Sequence, residues 1–71
     1  KMKNRDIEKV YSNIQMVEKL RRLADCIEKG ENFRIMIANE QLYVPDNANF
    51  SIEHEYENGE HEIEFQIKWG E

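Results

Sequence analysis

The sequence predicts an α+β domain: one amphipathic helix packed on one face of an antiparallel sheet built from two consecutive β-hairpins. Three observations carry that expectation. Apolar residues recur at steps of three and four between Met16 and Ile27, the hydrophobic period changes to two from Phe33 onward, and Asn58-Gly59 separates two alternating runs.

The helix is read over 13–29. In "YSNIQM", Ser12 can accept from the amide of Gln15 while the Gln15 side chain reaches back, a reciprocal cap that satisfies two orphan amides. Tyr11 and Met16 are spaced as a hydrophobic staple across it. Met16, Val17, Leu20, Leu23, Ala24 and Ile27 then form one apolar stripe. Lys29 suits the negative end of the helix dipole, and Gly30 can take the left-handed conformation that ends a helix.

Strands are read over 33–38 and 41–45. A two-residue loop at Asn39 and Glu40 sets Ile37 opposite Leu42 and Ile35 opposite Val44, and Pro45 ends the pairing because it has no amide hydrogen. Two longer strands follow over 49–57 and 60–69. Their Asn58-Gly59 turn requires positive φ at both positions and fixes the register: Phe50 meets Ile67, Ile52 meets Phe65, His54 meets Ile63 and Tyr56 meets His61. That face is expected to lie under the helix stripe. On the other face Glu57 meets Glu60, Glu55 meets Glu62 and Glu53 meets Glu64, although opposed like charges weaken a strand pair. The segment "DIEKVY", 6–11, has modest strand character and as a strand joins a sheet edge; outward-facing Met36 and Tyr43 imply either coverage by that strand or a contact surface.

Seventy-one residues suffice for a single domain, 1–71, with an ordered core over about 6–69 and no deep pocket. Hydrophobic content of 39% with 35% charged residues suits a folded, soluble chain. Cys26 has no partner for an internal disulfide, and no apolar run approaches a signal core or membrane span, so the expected setting is a reducing cytoplasm without membrane contact. Lys1 before Met2 reads as a remnant ahead of a natural start or as the cut edge of a longer chain. The net charge of -5 is unevenly placed. Residues 1–45 carry nine Lys/Arg against seven Asp/Glu, a balance of +2, whereas residues 46–71 carry one Lys against eight acids, a balance of -7. Whole-molecule attraction to nucleic acid is therefore disfavoured.

The order of these pieces resembles the amphi-Trp domain family. The resemblance spans roughly residues 7–69 and rests on "LRRLAD" with the Glu and Gly that follow, on the Ile/Leu hairpin ending in Pro45, and on "HEIEFQIKW" closing at Trp69. Asn39-Glu40 stands where a Gly-rich turn is common in that family, and Cys26 where a small or apolar residue is usual. The resemblance implies a small prokaryotic α+β domain. It carries over no catalytic residue.

No phosphate-binding Gly loop, metal signature, catalytic triad pattern or cofactor motif occurs, so the expected function is non-catalytic and needs no cofactor. The first candidate surface is the row Glu53, Glu55, Glu57, Glu60, Glu62 and Glu64, which can attract a basic protein segment or a hard cation. The plainer reading is a solvated face that discourages edge-to-edge aggregation. A flat sheet converges carboxylates poorly, so a protein with a basic surface is the better functional candidate. The second surface combines Lys19, Arg21, Arg22 and Arg34 with Met36 and Tyr43, a basic and aromatic patch of the kind that holds single-stranded nucleic acid. Glu18, Asp25 and Glu28 interrupt it, and Glu18 with Arg22 has the spacing of a helix-stabilising pair. His54 and His61 are two ligands where zinc needs more, and Cys26 lacks an assignable base. Trp69, opposite Ala48, is expected to plug the open end of the core. Monomer and weak homo-oligomer are both compatible with the sequence.

Overall fold

The computed structural model describes residues 2–71 and shows the α+β class: a helix α1 (Asn13–Lys29) followed by strands β1 (Phe33–Ile37), β2 (Glu40–Val44), β3 (Asn49–Glu57) and β4 (Glu60–Lys68). The helix begins where its cap places it. The Gln15 amide donates to Ser12 Oγ at 3.2 Å, and the Ser12 amide donates to Gln15 Oε1 at 3.1 Å. It ends at Gly30, whose φ of 67° lets its amide reach back to the last turn.

The first hairpin corrects one expectation. Its turn is Ala38-Asn39, with φ of 49° and 66°, in place of Asn39-Glu40. The pairs are therefore Phe33 with Val44, Ile35 with Leu42 and Ile37 with Glu40. The shift is two residues, so every side chain keeps its face. What changes is that Phe33 and Val44 meet and bury each other, each 5% exposed. The turn also gives positive φ to Asn39, which tolerates it, and leaves Glu40 extended. Ala38 bears the cost. Ala38→Gly should stabilise the domain by about 0.5–1 kcal/mol in urea unfolding, because alanine in the left-handed region costs ~1–2 kcal/mol and glycine returns part of that gain as entropy. Were the loop at Asn39-Glu40, the same change would fall in a strand and destabilise.

The second hairpin has the expected register throughout, from Asn49 with Lys68 to Glu57 with Glu60, around Asn58 (φ 53°) and Gly59 (φ 81°). The two hairpins do not join into one sheet, however: β1-β2 and β3-β4 are separate two-stranded sheets. The connection explains why. The Asp46 amide donates to Asn32 Oδ1 at 3.0 Å and the Ala48 amide to the Pro45 carbonyl at 3.2 Å, turning the chain before β3 can lie along β2.

Residues 6–11 do not form a strand. Their charged side chains interrupt any apolar alternation. The segment is instead tied by Arg5, whose guanidinium donates to the Ile37 carbonyl at 2.9 Å. Met36 and Tyr43 remain uncovered.

The core is compact and local. Phe33, Val44 and Ala48 are buried, with Leu23, Cys26, Ile35 and Ile67 packed against them. Cys26 thus occupies the boundary position that its place on the helix suggests, half-buried. The backbone of α1 approaches β1 and no other strand among the described residues. The expected covering of the β3-β4 apolar face by the helix does not occur: Ile52 is 72% exposed, Ile63 67% and Phe65 64%. A helix is about 10 Å across and strands are about 4.8 Å apart, so one helix covers roughly two strands. Here it packs on the first hairpin through β1, and Met16, Val17, Leu20 and Ile27 of its stripe stay partly exposed.

Candidate functional site

Period-two alternation in β3 and β4 sends carboxylates to one face of the hairpin and apolar or aromatic side chains to the other. The carboxylate face is the acidic row expected from the sequence, and the register brings all six residues together as three opposed pairs. The base of the row is bridged by an amide. Gln66 Nε2 donates to Glu53 Oε2 at 3.3 Å and to Glu64 Oε2 at 3.2 Å, while Ser51 Oγ donates to Gln66 Oε1 at 3.0 Å.

Among the described residues, no such donor reaches the middle of the row. The side-chain hydrogen bond between Glu55 and Glu53, followed by the charges of Glu53 and Glu62, holds the Glu55 carboxyl above its ordinary range. Glu62 is raised in the same way, first by its hydrogen bond with Glu64 and then by that neighbour's charge. A carboxyl–carboxylate hydrogen bond requires a proton, so crowding makes Glu55 and Glu62 hold protons more tightly than isolated glutamates do. Glu53, Glu55 and Glu64 each place one oxygen within 4.8 Å of the others. Three ligands from a flat face fall well short of the six to eight oxygens that calcium takes. At the tip, Glu55, Glu57, Glu60 and Glu62 line an open acidic hollow of about 380 Å³.

The opposite face carries His54 and His61, and their rings contact each other. Nε2 of His54 lies 3.0 Å from Nδ1 of His61, the rings are stacked at 5.2 Å, and Tyr56 tilts over His61 at 4.6 Å. Each ring nitrogen in that contact has the other as its hydrogen-bonding partner, which differs from two nitrogens converging on a metal. Beyond them, Ile63, Phe65, Ile67 and Trp69 form one wall of an apolar groove of about 700 Å³; the helix and the first hairpin form the other. Trp69 is a wall of this groove, 40% exposed, where the sequence suggested a plug at the open end of the core. The open groove was the feature missed. A sequence signal for it exists: a single amphipathic stripe faces two hairpins whose apolar faces together need more than one helix to cover them.

The basic patch is divided by the fold. Lys19 Nζ lies 4.7 Å from the centroid of the Tyr11 ring and lines the groove. The Arg22 guanidinium lies 5.1 Å over the Phe33 ring and donates to the Arg34 carbonyl at 3.2 Å, so it braces the hairpin where the sequence suggested a pair with Glu18. Arg34 faces Tyr43 across β1 and β2, with Met36 two residues further along β1 on the same face. Arg21 stands exposed on the helix.

No family model, curated protein or solved structure matches this chain. Among the described residues, no helix is long and apolar enough to cross a membrane.

Proposed function

We propose that this chain is a small non-catalytic interaction module whose acidic β3-β4 face receives a basic protein segment; the amphi-Trp resemblance bears on its architecture and leaves this role open. The observation that carries this reading is the crowded centre of the row, where among the described residues Glu55 and Glu62 are set against other carboxylates and both are held above their ordinary range. An approaching Lys or Arg side chain gains the attraction of several carboxylates and also removes repulsion already present in the fold. A cytoplasmic setting fits the lone cysteine.

Titration with a Lys/Arg-rich peptide tests it directly. Binding by the wild type should weaken with salt, and the variant Glu53→Gln, Glu55→Gln, Glu62→Gln, Glu64→Gln should lose about tenfold or more in affinity, as expected when close charge pairs are removed. Equal binding by both chains, or capture of the same partners by both from a lysate, would reduce the acidic face to a solvated surface.

Arg34 opposite Tyr43, with Met36 beside them, supports a second reading, a nucleic-acid-associated module that also uses Lys19, Arg21 and Arg22. Two of those cations are already engaged by Tyr11, Phe33 and the Arg34 carbonyl, which weakens it. Retention on heparin that disappears in Arg21→Ala, Arg22→Ala would favour this alternative, and no retention at low salt would exclude it.

A further inference from the structure

The chain exposes more surface than a folded monomer of its mass. Its accessible area is 6644 Å², whereas a monomer of 8.6 kDa exposes about 4,700 Å². Its radius of gyration is 13.7 Å, against about 11 Å for a compact chain of this length. Part of the excess belongs to residues 2–10, which are exposed throughout. The remainder has a focus. Phe50, Ile52, Ile63 and Phe65 stand on one face of β3-β4, continuous with the apolar groove. In the same hairpin Glu53, Glu64 and Gln66 are half-buried on the opposite face, so the alternating pattern is inverted relative to burial.

We infer that this face is a homodimer interface, in which each of two copies lays its β3-β4 apolar face over the groove of the other. Three observations select a second copy as the occupant. The area excess of about 1,900 Å² per chain is shared between residues 2–10 and this face, so it is an upper limit on what the face can bury, and that limit lies within the 1,000–2,500 Å² that each subunit of an obligate homodimer buries. The surface consists of large apolar side chains, like a domain core cut in half, and among the described residues Lys19 alone brings a charge to the groove. Two chains of net charge -5 repel, and a face without carboxylates is where they can meet without opposing negative charges. One helix packs on one hairpin in each copy, and the partner supplies the missing layer for the other. The arrangement is isologous, the same patch on both sides, and so closes at two. It leaves the acidic row facing outward, so the proposed binding of a basic segment and this association can fail independently.

Sedimentation equilibrium of the 71-residue chain at neutral pH, from about 1 µM to about 200 µM, tests the inference across the range where a micromolar or tighter dimer is populated. The expected result is twice the chain mass, with the Trp69 emission maximum moving to longer wavelength on dilution as the groove opens to water. Ile52→Lys with Ile63→Lys should give the mass of one chain while keeping the helical circular dichroism, since both side chains are exposed in the single chain. Glu55→Lys with Glu62→Lys, on the opposite face, should leave the dimer intact. A wild type of single-chain mass throughout, or a lysine pair at 52 and 63 that still dimerises, overturns the inference. Should those lysines unfold the chain, the dilution-dependent Trp69 shift decides, and its absence also overturns it.

Discussion

Replacing Phe33 with alanine should remove about 3–5 kcal/mol of stability, comparable with the whole ~4–10 kcal/mol that a chain of this length possesses. Phe33 is where the elements meet. It pairs with Val44 across the first hairpin, shares with Val44 and Ala48 the buried cluster against which Leu23 and Cys26 of the helix pack, and lies beneath the Arg22 guanidinium. Truncation leaves a cavity that a three-residue buried core cannot refill. Circular dichroism on heating or in urea should show no cooperative transition, or one displaced far toward mild conditions. Phe65→Ala is the comparison. Phe65 is 64% exposed in one chain, so its loss should matter little to the fold at high dilution and should instead weaken association. A Phe65→Ala penalty equal to that of Phe33→Ala at low concentration would mean that the β3-β4 face is buried within the single chain.

The second large effect should be a rise in stability on mild acidification. Glu55 and Glu62 bind protons more tightly in the folded hairpin than in the unfolded chain, because the folded hairpin holds Glu55 against Glu53 and Glu62, and Glu62 against Glu64. Their contribution is fully present below the unfolded-state pKa and is lost as pH rises through the raised folded-state value. The thermal midpoint should therefore climb as pH falls from neutral toward the upper edge of carboxylate titration. Glu55→Gln with Glu62→Gln should raise the neutral-pH midpoint and flatten the profile in that window. Added salt should bring wild type and variant together, since it screens the same repulsion. A midpoint that falls over this window would mean that the fold holds these carboxylates ionised through favourable partners.

Several features were legible because they are local. Ser12, Gln15 and Gly30 delimit the helix through contacts within a few residues, and the observed span agrees with the reading. Asn58-Gly59 specifies a turn with positive φ at both positions, so the β3-β4 register and the three carboxylate pairs could be written down residue by residue. The first turn was misplaced because Ala38-Asn39 carries only half of that signature, and tertiary burial of Phe33 against Val44 outweighs alanine's reluctance to adopt positive φ. The acidic row was likewise readable as an arrangement. Its charge state was not, because the proton affinities of Glu55 and Glu62 depend on side-chain approaches across the hairpin.

By itself, the sequence determined the α+β class, the helix, the membership of each strand's two faces and the pairing of β3 with β4, since each follows from periodicity, capping or turn chemistry over short separations. Only the tertiary structure decided that the hairpins stay separate, that the helix packs on the first and leaves the second open, and that Arg22 braces Phe33. The physical reason is that hydrophobic burial is non-directional. An apolar face specifies that it must be covered, and the geometry of the Pro45–Ala48 turn and the width of one helix settle which face the chain can cover alone.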